Sequence, residues 1–193
     1  MTLSVTVLLA AGGYFAAYLN NLRLARRKDH LDRVSKQLSD LYGPLLALSR
    51  AGVGSWSAFM SRYRPGARWF WDDEQAPAPT EEQVALYRLW MRHVFLPLDN
   101  RMVDVVTSKA DLLDESYVPE CLLQLLAHVA SWQAVLQQWD EGDFSENRPI
   151  IRYPGGDIDE YAEANFRRLK AEQNRLLGVE AGNGSSDADT RTY

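Results

Sequence analysis

From Thr2 to Leu22 the chain carries no charged side chain, and residues 3–19 are Leu, Val, Ala, Gly, Tyr and Phe interrupted only by Ser4 and Thr6. Extended to Leu22 as a helix at about 1.5 Å per residue, this stretch is ~30 Å long, the thickness of a hydrocarbon core. Arg23, Arg26, Arg27 and Lys28 follow at once, while the other flank has only the α-amino group. The positive-inside rule then predicts a single-pass anchor over residues 1–22, N-terminus out, with the bulk of the chain cytosolic. A cleaved export signal would carry its positive charge before the apolar run, and here the charge comes after it. Gly12, Gly13, Asn20 and Asn21 weaken the insertion signal and keep a buried or interfacial helix as competing readings. Tyr18 suits the headgroup belt, and the pairs Gly12/Ala16 and Gly13/Ala17 would let a second membrane helix approach closely.

With the anchor and a tail removed, roughly 150 residues remain, the size of one domain. An apolar fraction of 46% and a charged fraction of 24% suit a packed core. The net charge of −5 excludes a nucleic-acid binder that works through a domain-wide basic field. The one cysteine, Cys121, makes no internal disulfide and fits a reducing compartment.

Leu31, Val34, Leu38, Leu41, Leu45 and Leu48 alternate spacings of three and four, the seam of a long amphipathic helix. Gly43-Pro44 interrupts it, since proline lacks the amide proton and its ring collides with the carbonyl four residues back. The seam keeps phase across Pro44, which favours one kinked helix to about Tyr63 over a hairpin. The seam itself suits packing within the domain or an intermolecular coiled coil. Pro65, Gly66, Pro77 and Pro79 mark residues 64–80 as a connection, with Asp72, Asp73 and Glu74 as a solvated acidic run. Thr80-x-x-Gln83 is a capping box for a helix to about Thr107, bent at Pro97. Pro119 opens a helix that carries Leu122, Leu125, Val129, Trp132, Leu136 and Trp139 and ends at Gly142. Asp157-x-x-Glu160 starts a last helix closed by Gly178, and residues 179–193 have nothing to bury and read as a disordered tail. The fold class is therefore all-α: an anchor (1–22), a cytosolic bundle of about four helices (23–178) and the tail.

A di-metal carboxylate site would need inward Glu-x-x-His pairs, and the sequence has none. His93, His128, Cys121 and Asp99 have no recognised zinc spacing, so no metal is expected. Cys121 and His128 stand two turns apart on one helix, ~10 Å, too far for direct proton transfer. No glycine-rich phosphate loop is present, so no cofactor and no catalytic set is predicted. Arg62, Tyr63, Arg64, Arg68, Trp69, Phe70 and Trp71 interleave guanidinium groups with aromatic faces. That patch could anchor a protein, grip anionic lipid or stack bases, or its aromatics could cap the core with the arginines solvated.

At Gln37-Leu38-Ser39-Asp40-Leu41-Tyr42-Gly43-Pro44-Leu45, behind a membrane helix and a basic cluster, the chain resembles an uncharacterised family of small bacterial proteins with a QLxxLYGPL-type motif. The similarity extends through residues 90–99, 121–128 and 139–144. It implies a bacterial source, hence the inner (plasma) membrane, and no activity. The expected function is a membrane-tethered helical interaction or scaffold module, bound to lipid through residues 3–22 and to a protein partner or a second copy of itself, with nucleic acid disfavoured. The alternative is a membrane-linked enzyme or a defence or stress effector with a site around His93, Asp99, Arg101 and His128.

Overall fold

The computed structural model describes residues 2–71 and 73–179, and in the first helix the side chains at 13–15 and from 17 onward. Four helical runs and no strand are found among the described residues: the chain is all-α. The first run comprises α1 (Thr2–Lys36), a π turn (Gln37–Tyr42) and α2 (Gly43–Tyr63). The second is α3 (Glu81–Trp90), a π turn (Met91–Phe95) and α4 (Leu96–Ser108). The third and fourth are α5 (Glu120–Asp140) and α6 (Gly156–Leu177). Among the described residues no helix is long and apolar enough to cross a membrane. Most side chains of the expected anchor, residues 1–22, and the tail from residue 180 lie outside the described residues.

Helix ends follow local chemistry. Thr80 and Gln83 close the expected capping box, Gln83 N–H donating to Thr80 Oγ1 at 3.3 Å and Thr80 N–H to Gln83 Oε1 at 2.9 Å. α5 and α6 both stop at a glycine with positive φ, Gly142 at 82° and Gly178 at 71°. In each, the amide one residue further on reaches back to satisfy an orphan carbonyl, Asp143 to Gln138 at 2.9 Å and Val179 to Asn174 at 3.0 Å. The expected Asp157 cap differs: α6 begins at Gly156, so Asp157 sits in its first turn, where a carboxylate complements the helix dipole.

Both internal prolines are accommodated by one device. The expected break at Gly43-Pro44 is displaced upstream, into the π turn over Gln37–Tyr42, and α-helical structure resumes at Gly43. Pro97 likewise follows the π turn Met91–Phe95. The wider turn carries the preceding carbonyls away from the pyrrolidine ring, which relieves the collision that would otherwise break the helix. Gly43 is part of the device, because a Cβ there would lie 2.4 Å from the Leu38 carbonyl oxygen.

By contact the chain divides into two compact units, Gln37–Phe166 and Met1–Lys36 with Arg167–Tyr193. In the Gln37–Phe166 unit α2 packs along α4, and α4 against α5. Its core is aromatic. Phe59 is fully buried, with the rings of Trp56, Tyr63, Phe70, Tyr87, Trp90 and Phe95 at centroid distances between 5.1 and 6.4 Å. Four of these pairs are tilted, one is stacked and one is edge-on, and such contacts add to the burial of area. In the other unit α1 and the C-terminal half of α6 run antiparallel, joined by Gln173 to Ser35 at 3.2 Å, His30 to Glu172 at 2.7 Å and the Arg27 guanidinium to the Leu176 carbonyl.

The seam is used inside the chain. Val34, Leu38, Leu41, Leu45 and Leu48 are buried and Leu31 is half-buried, which favours packing within the domain over an intermolecular coiled coil.

Candidate functional site

The QLxxLYGPL-type motif builds the polar lining of the Gln37–Phe166 unit. Gln37 is 2% exposed, and its amide donates to the Leu112 carbonyl at 2.8 Å and to Asp114 Oδ1 at 2.6 Å, tying the π turn to the α4–α5 connection. Leu38, Leu41 and Leu45 fill the core beside it. Tyr161 O–H donates to Glu115 Oε2 at 3.1 Å, so the single proton between the phenols, 3.3 Å apart, belongs to Tyr42. Burial raises both phenols above their usual range and keeps this chain of donors protonated. About two helical turns beyond Tyr42, Ser49 donates to Asp159 Oδ1 at 3.2 Å, and Arg50 spans Asp159 at 2.7 Å and Glu163 at 2.6 Å. The motif thus reads as a fold-specifying element, in which each polar group has a partner.

The four residues of the expected enzyme site differ in exposure. His93 and Arg101 are exposed, whereas Asp99 and His128 are buried. Tyr153, from the connection before α6, brings the buried two into one neighbourhood: its ring lies 5.3 Å from that of His128, and the Asp99 and Asp159 carboxylates raise its phenol further after burial has done most of the work. Trp132 Nε1–H, which can only donate, points at His128 Nε2 at 3.1 Å, so Nε2 is the acceptor and the ring proton sits on Nδ1, 2.7 Å from the Ile151 carbonyl. Both nitrogens are occupied, and burial pushes the imidazole below its usual pKa. His128 is a clip that holds the connection to α5, helped by Gln124 donating to the Arg152 carbonyl at 3.1 Å. Burial pushes the Asp99 carboxyl up to about 7. Cys121 is half-buried, with its thiol raised first by desolvation, a setting that disfavours the thiolate. Among the described residues no three metal-binding groups gather.

The aromatic-arginine patch is divided between inside and outside. Phe70 is buried, Tyr63 and Trp71 are half-buried, and all three belong to the Phe59 core. Arg64 is 5% exposed and donates to the Pro77 carbonyl at 2.8 Å, with its guanidinium 5.7 Å from the Phe70 ring, so it pins the connection to the core. Only Arg62, Arg68 and Trp69 face outward, with Arg68 over the Trp69 indole at 5.5 Å. The acidic run is partly structural: Asp73 accepts from the backbone N–H of Arg68, Trp69 and Gln75, and these bonds hold its carboxyl below the usual range. Asp72 lies outside the described residues.

Two surface features stand out. An open groove of about 500 Å³ runs between α2 and α4, lined by Pro44, Ala47, Leu48, Ala51, Leu98, Arg101, Asp104 and Val105. On α1, Tyr14, Phe15, Tyr18 and Leu24 are 56–78% exposed, immediately before and within an exposed basic stretch. Charge follows the division into units. Residues 1–36 and 167–193 hold eleven Lys or Arg against six Asp or Glu, a net +5, whereas residues 37–166 hold ten against twenty, a net −10. The second basic run, Arg167, Arg168, Lys170 and Arg175, is exposed and stands some 140 residues downstream of the first, so proximity in sequence gave no sign of it.

No family model, curated protein or solved structure matches the chain.

Proposed function

We propose that the protein is a single-pass membrane-tethered helical module, inserted through residues 3–22 of α1 with its helical domain on the cytosolic face, and that it binds a protein partner or a second copy of itself rather than catalysing a reaction. The observation that carries this reading is the exposed face of α1. Tyr14, Phe15, Tyr18 and Leu24 are each more than half exposed and pass directly into exposed Arg23, Arg26, Arg27 and Lys28. Large apolar side chains left bare in this way call for another phase or another surface, and the aromatic belt followed by cations is the order that a bilayer boundary selects. With the seam buried, a partner would use the outward Arg62, Arg68 and Trp69 or the groove between α2 and α4. The enzyme alternative has less support, because His93 and Arg101 are exposed while Asp99 and His128 are buried, and both ring nitrogens of His128 are held in structural hydrogen bonds.

The test is fractionation of the full-length protein in bacterial cells. It should stay in the membrane pellet through an alkaline carbonate wash, and protease added outside intact cells should spare its C-terminal half. Recovery in the soluble fraction without detergent would remove the tether, and a strict monomer that captures nothing on cross-linking would remove the interaction role.

A further inference from the structure

The last helix ends beside the basic stretch that leaves the apolar segment. Arg27 donates to the Leu176 carbonyl from Nε at 3.0 Å and from Nη2, taking up an acceptor that the end of α6 would otherwise leave unpaired. With His30 on Glu172, this sets α6 antiparallel to α1, with Arg175 roughly level with residue 29. Measured from Leu22 at about 1.5 Å per residue, Arg23 to Lys28 lie within ~9 Å, Arg175 at ~10 Å, Lys170 at ~18 Å and Arg168 at ~21 Å. An anionic surface potential decays over about 8 Å at physiological ionic strength, so roughly a third of it remains at Arg175 and only about a tenth or less at Lys170 and Arg168. Arg175 shares Glu172 at 3.5 Å, yet its side chain is 75% exposed, which leaves most of its donors facing outward.

We infer that Arg23, Arg26 and Lys28 of α1, joined by Arg175 of α6, form a binding surface for the phosphates of anionic lipid headgroups, with Arg27 fixing the end of α6 at headgroup level. The inference rests on the tether reading and adds a lipid specificity to it. Its occupant is a lipid surface because an uncharged apolar run ends one residue before the first of these cations.

The experiment places the full chain in nanodiscs of phosphatidylcholine, alone or with roughly a third phosphatidylglycerol, and follows hydrogen exchange at amides 172–179. Anionic discs should slow exchange about fivefold per engaged cation, and ~0.5 M salt should erase the difference. Arg175→Glu should abolish it and Lys170→Glu should leave it. Equal exchange in both discs, or equal loss in both variants, overturns the inference while leaving the tether intact. Flotation separates the two readings: a chain that floats only with anionic vesicles has the lipid surface but no membrane span, and one that floats with neither has neither. Slowing by single-stranded oligonucleotide but not by anionic lipid would reassign the surface to nucleic acid and overturn the inference.

Discussion

Asp99 offers the sharpest test of the packing described above. Its side chain is 7% exposed, and burial lifts its carboxyl from the ordinary 3.8 to about 7. A raised carboxyl pKa means that the folded chain holds the proton more tightly than the unfolded one. Stability therefore falls as the pH rises from about 4 to about 7 and then levels off. At about 1.4 kcal/mol per unit, a shift of roughly three units makes the plateau cost about 4 kcal/mol, with relaxation around the carboxylate reducing it. Asp99→Asn keeps the shape and cannot ionise. Its advantage over wild type should grow by about 2.5 kcal/mol between pH 5 and pH 8, because at pH 5 only part of the cost has accrued. For a chain of this size that corresponds to roughly 5–10 °C in Tm. The assay is thermal unfolding of the full chain in mild detergent, followed by near-ultraviolet circular dichroism of the buried tryptophans. His128, whose imidazole pKa burial lowers, contributes equally to both proteins, so the difference between them isolates Asp99. If the Asp99→Asn variant held an advantage of the same size at both pH values, the carboxylate would already be ionised at pH 5 and the burial argument would be wrong.

Two further substitutions probe the local devices. Gly43→Ala should destabilise by about 2 kcal/mol or more, seen as a lower Tm, although helix propensity alone predicts a gain of about 1 kcal/mol; the reversal of sign reports the 2.4 Å approach to the Leu38 carbonyl. His128→Leu should lower the urea midpoint by an amount equivalent to about 2–4 kcal/mol near pH 7.5, since it strands the Ile151 carbonyl and the Trp132 N–H. The deficit should narrow at pH 5.5: the depressed imidazole pKa gives a stabilisation that is present above about 6.5 and lost as the pH falls through the folded value, and the leucine variant has none to lose.

Several features were legible because they are local. The capping box at Thr80 and Gln83, the closing glycines at 142 and 178, and the three-four spacing of Leu38 to Leu48 each depend on residues within a turn or two, where backbone geometry fixes who meets whom. The proline rule was sound at Pro44 and Pro97 in predicting disturbance. It misplaced the disturbance because a π turn can absorb the collision upstream, and that choice depends on what the widened turn packs against. The patch from Arg62 to Trp71 was visible as composition, but sequence could not divide it, since the core claims Tyr63, Phe70 and Trp71 through Phe59 and Tyr87.

The sequence by itself determined the helical class, the four helical runs and the ends of most of them, for these follow from periodicity, caps and breakers acting over a few residues. Only the tertiary structure decided which polar groups meet. Gln37 finds Leu112 and Asp114, Tyr42 finds Tyr161, and His128 takes its tautomer from Trp132 and Ile151. The bond from the Arg27 guanidinium to the Leu176 carbonyl belongs to the same class. Most such pairings join residues tens to more than a hundred positions apart, and their energies arise from burial and fixed distance, quantities that exist only once the helices have packed.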